Sequence, residues 1–364
     1  MTTTPERSRT ESARVLEQFR DLAIGPTRFM NVYTCYELGI LDRFRESDGT
    51  AMSAAYLAGA SGVRRDAVEQ LLHLLVKEDF IAYDAETGRY RALGLARLSD
   101  DEFARAMRLM SMIKEVCLRQ LYYLTDSVRT GKVVGLEKIF GFHGDLYEAC
   151  AEHEELRGAW SEMMDQTTSL IDPWFFENVD IPSGTKVLDL AGHTGLGAIL
   201  TRKHNPEKNL EVACFDFPEK RDDALANFRA HGVEDSCTFI GGDVYEGLPK
   251  GFGAVLVKHF LDQLGKENVF RVLRAVYDCL EPGGRIYALV PTYPENVKES
   301  SQADFFPAYF LGCSTAEGGP QKASTYKQWM EECGFTDVET ITHAADERPP
   351  EMIHVHSLLC GVKG

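Results

Sequence analysis

The sequence KVLDLAGHTGLG, at Lys186–Gly197, is the most informative part of this chain. Its first five residues form an apolar strand pattern, and a loop follows with glycines at positions 192, 195 and 197. Glycine permits a tight turn with positive φ and lets backbone N–H groups approach a ligand without a Cβ in the way. The spacing differs from the dinucleotide pattern G-x-G-x-x-G, so the loop alone is a weak indication. Its meaning depends on the strands that follow.

Three further strand patterns end in polar residues. The first ends at Asp216, where an acid can accept both ribose hydroxyls of an adenosine. The second, Cys237–Val244, contains Gly-Asp243, which can accept a hydrogen bond from an adenine amino group. The third, Gly253–Gln263, precedes an amphipathic helix over 266–280 and a strand over 285–290. Each element alone is typical of an ordinary α/β crossover, but this order and spacing favour adenosine binding.

Segments in the rest of the chain indicate the family more closely. Residues 30–42 contain the phrase E-L-G-I-L-D, 61–90 combine a helix with a hairpin turning at Thr87-Gly88, and 324–335 form a last helix pattern. Together with the four strands, these segments resemble the class I S-adenosylmethionine-dependent methyltransferases. Within that class they resemble the small-molecule O-methyltransferases that include hydroxyindole, caffeate and bacterial polyketide enzymes.

The resemblance implies an α/β fold with two domains. Residues 11–179 would form a helical winged-helix domain for dimerisation and for covering the substrate. Residues 180–364 would form a Rossmann-like, seven-stranded catalytic domain whose last strand is antiparallel. The apolar helical faces of the N-terminal region predict a homodimer. A long helix is expected over 102–129, and residues 145–179 are expected to be helical again.

The bulk composition excludes several partners. The chain of 364 residues has 39 basic and 56 acidic residues, a net charge of −17, which argues against nucleic acid because phosphate binding needs a basic face. Its nine cysteines contain no C-x-x-C pair, which favours core roles and a reducing, cytoplasmic location. No apolar run approaches the length of a membrane span. The polar first ten residues lack a signal peptide's apolar segment and are expected to form a disordered tail.

The resemblance also implies a cofactor, S-adenosyl-L-methionine, and a set of residues that bind it. Asp216 would accept the ribose hydroxyls and Phe217 would pack on the adenine. The full set expected to contact the cofactor is Asp189, Gly192, Asp216, Phe217, Asp243, Val244 and Lys258.

The catalytic base is where this sequence departs from the family. The family phrase L-K-x-x-L-H-D-W supplies a His base, but here Asp262 stands at that position and Gln263 follows it. Pro291 stands where the family has an acid that orients the His. Three interpretations remain open: Asp262 is the base; His259 is the base, although its side chain is expected to point elsewhere; or orientation of the reactants suffices without a strong base.

The acceptor pocket is predicted from two groups of large side chains. They are Trp160, Met163 and Met164 on one helix, and Phe305, Phe306 and Tyr309 after the fifth strand of the predicted sheet. Core packing is as good an explanation for any one of them, but as a group they favour a flat aromatic acceptor. His193 in the glycine loop is either a further catalytic candidate or a loop side chain. No metal is expected.

These features predict an S-adenosylmethionine-dependent methyltransferase that acts on a small phenolic natural-product precursor, at carbon or oxygen. The missing His favours a carbon ortho to a phenol, or an oxygen that ionises easily. The alternative is a methyltransferase-like fold used for a non-methylating reaction such as cyclisation or decarboxylation.

Overall fold

The computed structural model describes residues 4–296, 298, 304–343, 348, 352 and 355–364. By its internal contacts the chain divides into two compact units, Met1–Ala106 and Met107–Gly364.

The first unit combines helices with a small antiparallel sheet. The unit begins with the long helix α1. The hairpin between β2 and β3 turns at Thr87-Gly88, as the sequence predicted. Gly88 has a φ of 66°, which a glycine adopts without strain. The sheet has the order β1-β3-β2. The elements are α1 (Thr4–Glu37), α2 (Ile40–Glu46), β1 (Met52–Ser53), α3 (Ala54–Ser61), α4 (Arg65–Lys77), β2 (Ile81–Asp84) and β3 (Arg89–Ala92).

The second unit begins within a run of helices that leads to the main sheet. These helices are α5 (Asp100–Met112), a π-helical turn (Ile113–Leu118), α6 (Arg119–Leu121), α7 (Leu124–Thr130), α8 (Val134–Phe140), α9 (Leu146–Glu152) and α10 (Glu154–Glu177). The later helices are α11 (Leu196–His204), α12 (Arg221–Ala230), α13 (Lys266–Cys279), α14 (Phe306–Tyr309), a π-helical turn (Phe310–Ser314) and α15 (Ala323–Glu332).

Within the described residues, the main sheet has seven strands in the order β6-β5-β4-β7-β8-β10-β9. Strands β4 to β8 run parallel to one another, whereas β10 runs antiparallel to both β8 and β9. The predicted seven-stranded α/β fold with an antiparallel last strand is therefore confirmed. The strands are β4 (Lys186–Leu190), β5 (Glu211–Asp216), β6 (Cys237–Gly241), β7 (Phe252–Lys258), β8 (Leu280–Pro291), β9 (Phe335–Thr342) and β10 (His356–Lys363).

Both faces of this sheet are covered. Residues of α13 and α15 pack with alternate strand residues on one face, and residues of α10, α11 and α12 pack with the others on the opposite face. A parallel sheet covered on both sides leaves the carboxyl ends of its strands as the place where a ligand can reach polar backbone and loops. Asp189, Asp216 and Lys258 lie at or next to those ends in β4, β5 and β7.

The structure corrects two local expectations. Residues 4–10, expected to be a disordered tail, belong to α1. The long helix expected over 102–129 is interrupted by the π-helical turn at Ile113–Leu118. The segment over 145–179 is helical as expected and forms α9 and α10, which meet at the extended residue His153.

The two units do not coincide with the predicted domains. Residues 107–179 were assigned to the N-terminal domain, but their contacts group them with the sheet. The division of roles between 11–179 and 180–364 stays a prediction.

Candidate functional site

The glycine loop after β4 is shaped by the carboxylate of Asp189. A Cβ on Gly192 would lie 2.6 Å from Asp189 Oδ2 and 2.7 Å from Cys214 Sγ, and a Cβ on Gly197 would lie 2.5 Å from the same Oδ2. Both glycines are therefore needed so that the loop backbone can close over a buried acid. Asp189 Oδ2 is buried without a hydrogen-bond partner among the described residues.

A buried ion pair lies on the same face of the sheet. Lys258 Nζ contacts Asp172 Oδ2 at 2.8 Å, and the two side chains are only 7% and 1% exposed. The ammonium also lies over the rings of Phe175 and Phe176, at 5.5 and 5.7 Å from their centroids. Lys258 was predicted to bind the cofactor; the structure shows that Asp172 on α10 holds its ammonium group.

The charges of this ion pair act on the carboxyl group of Asp189. Burial raises the pKa of the Asp189 carboxyl to about 6; the charge of Lys258 opposes this rise, while the charges of Asp172 and Asp216 add to it. The result is a cluster of two buried acids and one buried base beneath the glycine loop.

Asp216, at the end of β5, holds two backbone amides. Its Oδ2 accepts the N–H of His193 at 2.8 Å, and its Oδ1 accepts the N–H of Phe217 at 2.8 Å. A carboxylate offers about four lone-pair positions, so Asp216 can still accept hydroxyl donors. The ring of Phe217 beside it is 53% exposed, an unusual placement for a phenylalanine that leaves its face open to a ligand.

The next strand end supplies the remaining predicted residues. Asp243 Oδ1 accepts the N–H of Tyr245 at 2.8 Å, which orders the turn after β6. Val244 is partly buried against the core on the side of α13. The predicted cofactor residues thus occupy the carboxyl ends of β4, β5, β6 and β7, and their binding roles stay predictions.

One cavity within the second unit brings together the predicted acceptor residues. All six of them line it, and so do both candidate bases; the wall contains Trp160, Met163, Met164, Phe305, Phe306, Tyr309, His259 and Asp262. Its volume is about 50 Å³. An engineered cavity that holds benzene measures about 150 Å³, so an aromatic acceptor can enter only when a wall side chain moves.

Asp262 is the acid of this cavity. It lies in a 3₁₀ turn over Leu261–Gln263, is 5% exposed, and its Oδ1 has no hydrogen-bond partner among the described residues. Burial raises the pKa of the Asp262 carboxyl to about 7, opposed by its own backbone N–H. An exposed carboxylate has a pKa of about 4 and is a poor base for a phenol; burial brings the pKa of Asp262 closer to the working pH, where a base works best.

Burying this carboxyl makes stability depend on pH. Its folded pKa of about 7 lies above the unfolded value of about 3.9, so its favourable contribution is present below pH 4 and is lost as pH rises to 7. The free energy of unfolding of the wild type should therefore fall between pH 5 and pH 8, and that of Asp262→Asn should not. We expect the difference in stability between the two proteins to change by more than about 1 kcal/mol in favour of Asp262→Asn, since one pKa unit is worth about 1.4 kcal/mol. Thermal melts of both proteins at the two pH values test this. Asp278→Asn, an exposed change on α13, is the control; an equal pH response in both variants would contradict the assignment.

His259 also lines this cavity; the expectation that its side chain points elsewhere stays a prediction. The backbone turns sharply there, with a φ of 51° at His259 directly before the 3₁₀ turn. The ring lies 5.0 Å from that of His356, edge to face. Gln263 donates its side-chain amide to the carbonyl of His259, and Pro291 lines the same wall.

Sequence reasoning missed two residues of the site. Tyr147 on α9 lines the cavity, packs edge-on against Trp160 at 5.3 Å and accepts a hydrogen bond from Ser314 Oγ at 3.4 Å. Burial is the main cause that raises the pKa of Tyr147 well above its usual range, so its hydroxyl stays protonated. Asp172 is the other. No local motif marks either residue.

Two absences hold for the described part of the chain. There, no group of three or more His, Cys, Asp or Glu side chains is arranged to hold a metal ion; the expected lack of a metal stays a prediction. Nor is any helix there both long and apolar enough to cross a membrane.

Comparison with known proteins decides the family. The O-methyltransferase domain family matches residues 121–336, which is more than half of the chain and lies entirely within the second unit. The chain belongs to the O-methyltransferase domain family. It is therefore a methyltransferase, as the sequence predicted, and no relative described here supports a non-methylating reaction.

Individual relatives of this methyltransferase are more distant. It is 25% identical over 253 residues to an L-tyrosine C(3)-methyltransferase of Streptomyces lavendulae, covering 69% of each chain. It is 26% identical over 331 residues to a 3-amino-4-hydroxybenzoate 4-O-methyltransferase of Streptomyces cremeus, covering 86% of this chain and 84% of the other. The crystal structure of the S-adenosylmethionine-dependent methyltransferase SibL matches with a TM-score of 0.77 at 22% identity, over 96% of this chain and 99% of SibL. This last likeness shows the fold, that of the class I methyltransferases.

Proposed function

We propose that this methyltransferase moves a methyl group from S-adenosyl-L-methionine to a small phenolic acceptor, at a ring carbon or at oxygen, in the making of a natural product. The observation that carries the proposal is the cavity. It joins an aromatic and methionine-rich wall to one buried acid, Asp262, whose pKa is about 7. Such a site suits a flat apolar ring that carries one ionisable hydroxyl.

The residues at the strand ends fit the proposed cofactor. When bound, it supplies an electrophilic methyl group on a sulfonium. Asp216 would accept the ribose hydroxyls, Phe217 would cover the adenine, and Asp243 with Val244 would hold the adenine edge. The loop at Gly192 has no room for a Cβ, so its backbone is available to a ligand. Lys258 would contribute chiefly through its backbone, because its ammonium is paired with Asp172.

The acceptor would be held by Trp160, Met163, Met164, Phe305, Phe306 and Tyr309. Asp262 would take the proton of the phenol hydroxyl and leave a phenolate. The negative charge of the phenolate is shared between the oxygen and the ortho carbons, so either kind of atom can form the new bond to the methyl group. After bonding at carbon, the displaced ring hydrogen leaves as a proton. The aromatic wall excludes water and orients the ring, which lowers the entropic part of the barrier.

Two observations favour carbon. The family's usual His is replaced by an acid, and one relative is named for methylation at C(3) of L-tyrosine. The other relative is named for methylation at an oxygen, so oxygen remains the second candidate.

Methyl-labelled S-adenosylmethionine tests the proposal. The protein is incubated with L-tyrosine, 3-amino-4-hydroxybenzoate and a panel of simple phenols, and products are read by mass spectrometry for O-methyl against C-methyl. We expect label in at least one phenol. Label in none of them, from a protein that binds the cofactor, would remove the proposal.

Asp216 provides a separate test of cofactor binding. Asp216→Ala removes the acceptor of the ribose hydroxyls and the partner of two loop amides, so we expect affinity for S-adenosylhomocysteine to fall by at least about tenfold, since a hydrogen bond to a charged group contributes about 1.5–3 kcal/mol. Titration calorimetry measures this. Asp235→Ala, in the exposed turn before β6, is the matched control. Equal affinity in wild type and Asp216→Ala would contradict the assignment.

We also propose that the protein is a homodimer and that the first unit, whose helices and hairpin follow the winged-helix order, provides the contact. The support is on α1, where Leu16, Phe19 and Leu22 are all more than 65% exposed. Three large apolar side chains spaced three residues apart make a stripe along one side of a helix, and such a patch marks an interaction surface.

Substitution on this stripe tests the dimer. We expect the double change Phe19→Asp and Leu22→Asp to convert a dimer into a monomer in light scattering at micromolar concentration. Asp21→Asn, on the same helix, should leave the mass unchanged. A wild-type protein that is already monomeric would refute the proposal.

A further inference from the structure

Trp160 is a residue of the acceptor cavity wall that also contacts the glycine loop. Its indole N–H donates to the hydroxyl of Tyr309 at 3.3 Å. Its ring packs edge to face against Tyr147 at 5.3 Å and against His193 at 6.3 Å. Tyr147 and Tyr309 belong to the cavity wall, but His193 belongs to the glycine loop. The indole is therefore the contact between the loop and the cavity.

The backbone of His193 is held in an unfavourable conformation. Its φ is 50°, in the left-handed region that favours glycine. A non-glycine residue there costs about 1–3 kcal/mol and persists only where the surroundings enforce it. What enforces it is Asp216, which accepts the N–H of His193 at 2.8 Å. The loop backbone at this position is therefore fixed by the same carboxylate that is proposed to accept the ribose hydroxyls.

The backbone and the side chain of His193 thus contact two different parts of the site, the proposed cofactor site and the acceptor cavity. The N–H is bonded to the acid proposed for the ribose hydroxyls, and the imidazole touches the indole that closes the acceptor cavity. Burial lowers the pKa of His193, so at neutral pH the ring is uncharged and packs against Trp160 as an aromatic group.

We propose that His193 is a positioning residue that transmits occupancy of the cofactor site to Trp160 and so adjusts the cavity to a flat phenol. Ribose hydroxyls that donate to Asp216 share the carboxylate with the N–H of His193. The loop then moves, and the edge of the imidazole moves against the indole. Because the cavity of about 50 Å³ is too small for a ring, this motion prepares it for the acceptor. The inference rests on the proposed cofactor.

The test follows Trp160 directly. The full chain is labelled with 5-fluorotryptophan, which gives one fluorine resonance for each of its three tryptophans, and Trp160 is assigned with Trp160→Phe. S-adenosylhomocysteine is then titrated into the wild type and into His193→Asn. Asn tolerates a positive φ, so this variant keeps the loop conformation and removes the ring. Calorimetry on the same samples measures binding.

We expect the Trp160 resonance of the wild type to move on binding, and to move less than half as far in His193→Asn. Ala191→Gly, which relaxes the neighbouring positive φ of 57° without touching the ring, should keep the full shift. If S-adenosylhomocysteine binds but the Trp160 resonance is still, or moves equally in His193→Asn, the inference is wrong and the proposed function stands. If S-adenosylhomocysteine does not bind the wild type, the inference and the proposed function are both wrong.

Discussion

Asp262→Asn is expected to lower the turnover of methyl transfer by about 10²–10⁴-fold, the usual contribution of a general base. The amide has nearly the shape of the carboxylate but cannot take the phenol proton. Affinity for S-adenosylhomocysteine should change little, because Asp262 lines the acceptor cavity rather than the strand ends that carry the predicted cofactor residues. Single-turnover assays with labelled cofactor, together with calorimetry, separate the two effects.

His259 provides the comparison for this prediction. It lines the same cavity, so His259→Gln tests the other candidate base in the same assay. A large loss in Asp262→Asn with a small loss in His259→Gln assigns the proton to the acid. The reverse pattern would show that the histidine is the base and that Asp262 is only its neighbour.

Lys258→Met is expected to have the largest effect on stability. It leaves Asp172 as a buried carboxylate without its cation, close enough to Asp189 that each carboxylate opposes the other's charge. Removing one partner of a buried pair costs about 3–5 kcal/mol. Asp172→Asn should cost less, because Asp189 remains to balance the lysine. Urea unfolding without cofactor measures both at pH 8.

Two controls accompany this prediction. The exposed pair of Lys186 and Glu211, with 3.9 Å between its charged atoms, should contribute at most about 1 kcal/mol, so Lys186→Met is nearly silent. The double variant Lys258→Met with Asp172→Leu replaces the pair by apolar groups and should recover much of the loss. A Lys258→Met protein as stable as the wild type would show that the pair is not buried in solution.

The parts of the site that sequence could predict are those marked by local pattern. A strand that ends in an acid and a glycine loop predicted the carboxyl edge of the sheet, because parallel strands carry their ligand-binding loops at one edge. The cluster of Trp160 with Phe305 and Tyr309 was also predicted, from large side chains placed where the family has them.

What sequence could not predict depends on contacts between distant segments. Asp172 and Lys258 are 86 positions apart, and nothing in the pattern of either helix or strand marks them as a pair. The pKa of Asp262 depends on distant contacts in the same way: a carboxylate is a weak base unless it is buried, and only the structure shows that Asp262 is 5% exposed. The position of His259 depends on a backbone turn in which His259 itself has a positive φ. Because no glycine stands there, the sequence does not indicate this turn.

The pH dependence of kcat/KM for labelled methyl transfer tests most directly the claim that Asp262 is the base. With a pKa of about 7, the carboxyl is protonated and inactive at pH 5, so the rate should rise about tenfold per pH unit and level off above pH 7. The residual activity of Asp262→Asn should lack this rise. A wild-type rate that is flat between pH 5 and pH 8, or a rise that persists unchanged in Asp262→Asn, would contradict the account.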